Sequence, residues 1–216
     1  MPDLVLSGDG SPAEPGRVLG TAAAVDLVVD RLRRRPHAGP GPAVVAVDGP
    51  SGAGKTDFAT ALAHALDGAP VVAMDDLYPG WDGLEAAVPL LTAEVLAPLG
   101  AGRPARFRRY DWAAGRRGEL VVVPAAPVVV VEGVGCGARE PAAHVDLLVW
   151  LDAAPAVRFA RGMARDGETY RPHWRRWAAQ EEVLFAREET RARADVRFRS
   201  DPPGPGGGLV REPADA

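Results

Sequence analysis

The 216-residue chain has twenty-five basic residues, and only one of them is lysine. That lysine lies in Gly49-Pro50-Ser51-Gly52-Ala53-Gly54-Lys55-Thr56, which fits the pattern G-x-x-x-x-G-K-[ST]. Isoleucine and asparagine are absent. All three scarce residues use A/T-rich codons, so arginine stands for lysine wherever chemistry allows. At residue 55 a compact ammonium is required, because a planar guanidinium does not fit a phosphate-sized loop. In such a loop the main-chain N–H groups of Gly49, Ser51, Gly52, Ala53 and Gly54 converge on phosphate oxygens. The next helix adds the positive end of its dipole. Lys55 is then placed to neutralise the β- and γ-phosphates, and the Thr56 hydroxyl to ligate Mg²⁺.

Further along, several side chains have the right type to complete phosphoryl transfer. Asp75 and Asp76 follow the apolar run 71–74, and Glu132 follows four valines. A carboxylate at a strand end facing the loop could take a proton from a substrate hydroxyl, as for Asp75, or hold Mg²⁺, as for Glu132 and Asp75. Each also reads as a simple strand-end cap. Arg158, Arg161 and Arg165 are spaced i, i+3, i+7, which puts them on one face of a helix where they could close on a triphosphate. Tyr78, Trp81, Tyr110 and Trp112 could stack on a base, and Asp82 and Asp111 could bind sugar hydroxyls. The run 103–109 reads as a solvated charge stretch, and Trp174 and Trp177 as core. The four histidines are scattered, without metal spacing.

The elements that must position these groups alternate along the chain. Short apolar runs at 43–48, 71–74, 128–131, 145–151 and 194–198 read as strands buried on both faces. Helical periodicity covers 21–35, 56–66, 84–99, 155–165 and 175–193. This alternation predicts an α/β fold with a parallel five-stranded sheet flanked by helices. Ligands then bind beyond the carboxyl ends of the strands, which puts the phosphate loop, Asp75 and Glu132 on one rim. A flexible segment is expected over 1–16, a single domain over 17–200, and a disordered Pro/Gly-rich tail over 201–216.

Bulk properties narrow the function. A net charge of −4 and a pI near 5.6 argue against a nucleic-acid partner. The single Cys136 excludes an internal disulfide. No basic n-region begins the sequence, and the apolar stretch 121–131 is too short for a bilayer and contains Pro124 and Pro127. The expectation is a cytoplasmic protein without a membrane partner, with a homodimer left open. Without asparagine, and with its one lysine already used, the chain has no Asn-Lys-x-Asp element for guanine and no protein-kinase catalytic loop.

Over residues 43–170 the sequence resembles the uridine kinase and phosphoribulokinase group of P-loop kinases. The phosphate loop with Asp48, then Met74-Asp75-Asp76-Leu77-Tyr78, Arg109-Tyr110-Asp111-Trp112, Val129-Val130-Val131-Glu132-Gly133, and Arg158, Arg161 and Arg165 match that group's elements in order. The resemblance implies a P-loop NTPase fold with a small arginine-bearing lid. It also implies ATP and Mg²⁺, with Asp75 as catalytic base and the Tyr-Asp element at a nucleoside. Arg161 and Arg165 join Lys55 around the phosphates, and Tyr78, Asp82, Tyr110, Asp111 and Trp112 bind substrate. The stretch 113–117 carries no histidine where uridine kinases have one, and 170–193 departs from the group's pattern. Both departures lie on the acceptor side. The reading is a kinase of a small-molecule hydroxyl acceptor, a nucleoside first. The alternatives are another acceptor (a nucleoside monophosphate, a sugar phosphate or a vitamin precursor) or an ATP-binding module without turnover.

Overall fold

The computed structural model describes residues 16–37, 39–167, 170–201 and 208–213. In chain order the strands are β1 (Val18–Leu19), β2 (Ala43–Asp48), β3 (Val71–Ala73), β4 (Ala105–Asp111), β5 (Arg116–Val123), β6 (Val128–Glu132), β7 (Leu147–Asp152), β8 (Val196–Arg199) and β9 (Leu209–Arg211). The helices are α1 (Thr21–Arg33), α2 (Lys55–Ala65), α3 (Leu84–Leu90), α4 (Ala97–Gly100), α5 (Arg139–Ala142), α6 (Pro155–Asp166), α7 (Arg171–Glu188) and α8 (Thr190–Arg193). Between α3 and α4 the backbone widens into a π turn, Leu91–Leu96.

The central sheet runs β1-β9-β8-β7-β2-β6-β3. The five strands from β8 to β3 are parallel, and they are the five expected from the apolar runs. Valines alternate sides along them. Val44 and Ala46 face a core built with α3, α7 and the β4–β5 hairpin, whereas Val45 and Val47 face one built with α1 and α2. A strand buried on both faces needs apolar residues at every position, which is why these segments read as continuous runs. The chain leaves β2 toward β3 and β6 on one side and later crosses to β7 and β8 on the other. The carboxyl end of β2 is therefore the switch point where open α/β sheets bind ligands.

Two expectations are corrected. The sheet has seven strands, not five, because β9 pairs antiparallel with β8, and β1 pairs with β9. The tail expected to be disordered over 201–216 holds β9 at Leu209–Arg211, while 202–207 and 214–216 lie outside the described residues. These strands have three residues or fewer, and their stability comes from partners distant in sequence, so no local pattern marks them. The loose segment expected over 1–16 lies outside the described residues except Gly16, whose N–H donates to the Arg211 carbonyl at 3.0 Å.

The arginine run read as solvated is strand β4 of a hairpin with β5. Ala105 and Phe107 point into the core while Arg106 and Arg108 point out, a period of two hidden by the charge density. Among the described residues, no helix is long and apolar enough to cross a membrane.

Leu209 is buried in the core formed with α1 and β8. Leu209→Ala should therefore lower the unfolding free energy by about 2 kcal/mol in equilibrium urea denaturation. An unchanged midpoint would mean that β9 is not docked on the sheet.

Candidate active site

At the switch point β2 ends in Asp48, the most deeply buried acid of the site. Its carboxylate accepts N–H bonds from Gly49 (2.7 Å), Gly135 (3.0 Å) and Gly137 (2.8 Å). It thus fastens the start of the phosphate loop to the loop after β6. Burial pushes its pKa up to about 6, against the downward pull of the glycine amides and the Lys55 ammonium. Gly49 has φ 139°, and a Cβ there would lie 1.9 Å from the Leu151 carbonyl oxygen. At Gly52 a Cβ would lie 2.3 Å from the Arg158 oxygen. Both positions need glycine for left-handed backbone and for close approach.

Gly54, also left-handed, caps α2, whose first residues are Lys55 and Thr56. The Lys55 ammonium donates to the Pro50 carbonyl at 3.0 Å across the loop. The Thr56 hydroxyl donates to Glu132 Oε1 at 3.2 Å. The predicted phosphate-loop residues thus form the turn after β2 and the first two positions of α2. That turn opens onto two adjoining cavities, of about 670 Å³ and about 420 Å³.

Asp75 lies in the 3-10 turn Met74–Asp76 after β3 and lines the larger cavity with Lys55, Thr56 and Glu132. The residue is exposed to the cavity's open space, while the protein around it still takes solvation from its carboxyl group. Loss of solvation raises its pKa, while Arg165 and Lys55 pull it back. Glu132 is raised for the same first reason, offset by Lys55 and by the Thr56 hydrogen bond. Arg165 lines both cavities and Arg161 the smaller one, with Gly54 and Lys55. Arg161 also grips Ser200, donating to its hydroxyl and its carbonyl, each at 2.8 Å.

The substrate residues expected from sequence are only partly gathered. Trp112 lines the larger cavity, and its indole N–H donates to the Asp75 carbonyl at 3.0 Å. Tyr78 lines it too, but as a core residue whose hydroxyl is committed to the Val134 carbonyl at 2.9 Å. Tyr110 stands behind Trp112 in an edge-to-face pair and does not line the cavity. Asp111 caps its own turn, accepting from the N–H groups of Ala113 and Ala114. Asp82 is exposed and pairs with Arg176 at 3.1 Å. Neither Asp82 nor Asp111 lines the larger cavity. Asp76 pairs with Arg109 at 2.9 Å. Arg158 is also not free for a ligand, since it contacts Ala153 and Ser51 carbonyls and lies 3.7 Å from Glu181.

Of the cavity's aromatic wall, the sequence pointed to Trp81 and Trp112 as rings for a ligand, but it left Tyr170 unassigned and placed Trp177 in the core; all four line the cavity. Trp81 sits at the centre, 4.8 Å from Trp112 and stacked at 4.3 Å on His173. The available signal was the spacing Tyr170, Trp174, Trp177 on one face of α7. That spacing places a stripe but does not say what it faces.

No protein-family model matches the sequence, and no curated protein matches it either. Solved structures do resemble the fold. A possible uridine kinase from Bacillus stearothermophilus superposes with a TM-score of 0.60 at 23% identity, over 81% of this chain and 97% of that one. D-glycerate 3-kinase from Cryptococcus neoformans var. grubii superposes with a TM-score of 0.56 at 14% identity, over 87% of this chain and 98% of that one. The chain thus shares its fold with these two proteins. A candidate fructose transport system kinase from Silicibacter sp. TM1040 shares it at a TM-score of 0.52 and 23% identity, over 91% of this chain and 98% of that one.

Asp48→Asn should cost about 2 kcal/mol of stability, because an amide nitrogen would face buried glycine N–H donors. Chemical denaturation measures this, and a wild-type midpoint would show that the carboxylate does not hold the two loops together.

Proposed function

We propose that the protein is a kinase that transfers the γ-phosphoryl group of Mg·ATP to a hydroxyl of a small, unphosphorylated acceptor with a flat ring, a nucleoside being the first candidate. One observation carries this reading: Asp75 shares a single cavity with Lys55 and Thr56 of the phosphate loop on one side and with an aromatic wall on the other. Phosphoryl transfer asks a protein mainly for position and charge neutralisation, and this cavity offers both.

The residues fit the donor. The smaller cavity, lined by Gly54, Lys55, Arg161 and Arg165, is cationic and bounded by main chain, as a polyphosphate requires. Thr56 and Glu132 place a hydroxyl and a carboxylate within 3.2 Å of each other. Among the described residues no cluster of three or more His, Cys, Asp or Glu could cage a metal alone. That suits Mg²⁺, which takes one or two protein ligands and fills its shell with phosphate oxygens and water. When bound there, the ion would neutralise charge on the phosphates.

In this reading Asp75 receives the proton of the acceptor hydroxyl as its oxygen bonds to phosphorus and the bond to the leaving diphosphate oxygen breaks. Its upward-shifted pKa makes it a better base than an aspartate at the ordinary value. Lys55 and Arg165 hold positive charge where negative charge gathers on the transferring group. Arg161 and Arg165 on α6 form the arginine-bearing lid.

The cations lining the larger cavity are Lys55 and Arg165, both shared with the phosphate side. Arg165 is further engaged by Asp166 at 2.7 Å. Among the described residues the lining holds no further cation for a phosphate on the acceptor, which disfavours nucleoside monophosphates and sugar phosphates. Trp81, Trp112 and Trp177 instead offer ring faces and edges to a planar group. Cys136 is buried and free, in keeping with a reducing compartment such as the cytoplasm.

A panel of nucleosides, sugars and their phosphates in a coupled ADP-release assay tests the reading; ATP binding without acceptor-dependent ADP from any of them would leave only a binding module. With the acceptor found, Asp75→Asn should retain ATP affinity and lose a factor of about 10² to 10⁴ in turnover. Lys55→Ala should weaken both binding and turnover. Only the carboxylate form of Asp75 accepts a proton, so kcat/KM should fall as pH drops through its raised pKa and be level above it. A wild-type rate in Asp75→Asn would remove that residue from the chemistry.

A further inference from the structure

Ser51, the third residue of the phosphate loop, has each of its polar groups engaged by the α6–α7 region. Its backbone N–H donates to Glu181 Oε1 at 2.9 Å. Its hydroxyl oxygen accepts from the Trp177 indole N–H at 3.0 Å and shares a hydrogen bond with the Tyr170 hydroxyl. Its carbonyl oxygen lies 3.4 Å from Arg158 Nη1. The Glu181 side chain is only 4% exposed, and its other oxygen lies 3.7 Å from the same Arg158. A buried carboxylate one turn beyond Trp177 on α7 thus meets a loop amide more than a hundred residues away in sequence.

α7 buries Trp177, Glu181, Leu184 and Glu188 and packs against α3. Its contacts with Ser51 fall on a segment of the site whose backbone direction matters. Trp177 and Tyr170 also line the larger cavity, so the side chains that wall the acceptor space are the ones that hold the loop.

We propose that Glu181 and Trp177 are positioning residues of the phosphate loop: α7 clamps Ser51 by its amide and its hydroxyl, and so joins the wall of the acceptor cavity to the phosphate site. Neither residue touches the reacting atoms. The clamp is a feature of the folded chain, while its effect on turnover rests on the kinase reading.

The test uses the full chain and amide hydrogen exchange of the peptide spanning residues 49–56, with Val183→Ala as control for a substitution on α7. Val183 is exposed and lies outside the site. Loss of a charge-assisted bond in Glu181→Ala should speed exchange of that peptide about tenfold, and loss of one neutral donor in Trp177→Phe about fivefold. Glu181→Gln retains an acceptor oxygen for Ser51 and should restore most of the protection. Calorimetry with Mg·ADP gives the second readout: affinity should fall about fivefold in Glu181→Ala and Trp177→Phe, and not in the control. In turnover the KM for ATP should rise more than kcat falls, whereas a merely structural loss would lower the active fraction and leave KM unmoved.

Should Glu181→Ala fail to fold, Trp177→Phe carries the same comparison. Faster exchange in a protein that binds no Mg·ADP would sustain the clamp and sink the kinase reading. Exchange at the control rate in folded Glu181→Ala and Trp177→Phe overturns the clamp, whatever the nucleotide result.

Discussion

The site depends on a carboxylate that water cannot reach. Asp48 ends the central strand and accepts three glycine N–H groups from two different loops. Burying a carboxylate is costly unless its oxygens are satisfied, and only glycines bring backbone amides close enough to do so here. At Gly137 even a Cβ would lie 3.1 Å from Asp48 Oδ2 and 2.5 Å from Leu148. The glycine-rich loops on either side of β2 are therefore one unit with a charged centre. The phosphate loop starts from it, and the loop after β6 leaves it to pass Val134, whose carbonyl orients Tyr78.

Electrostatic enclosure then gives the site its character. Asp75 and Glu132 are both raised by loss of solvation, and both are pulled back by the same two cations, Lys55 and Arg165. Asp75 also raises Glu132, and the lone lysine of the chain draws both acids down, so it supports the acids as well as any phosphate.

What was legible in the sequence follows from how local each signal is. The five parallel strands were readable because strands covered on both faces leave unbroken apolar runs. The phosphate loop was readable because glycine, lysine and threonine at fixed offsets are dictated by backbone geometry. Asp75 and Glu132 were readable as carboxylates at strand ends, because parallel strands bring such ends to one rim. Asp82 and Asp111 looked equally suited to a ligand, yet Asp111 caps its own turn and Asp82 pairs with Arg176, since an exposed aspartate near a loop is as ready for either. The aromatic wall was visible as residues and invisible as a wall, because the angle at which α7 crosses the site is a tertiary fact. The engagement of Ser51 by Glu181 belongs to the same class.

The ends of the sheet have a bearing on the life of the chain outside its active site. Valine-rich strands are the sort that recruit further strands when an edge lies open. Here one margin is the three-residue β3 and the other the two-residue β1, which screens β9. Neither margin is long enough to template another molecule, and the adhesive interior strands are kept from view. A polypeptide rich in valine, alanine and leucine is in this way left, among its described residues, without a long open edge.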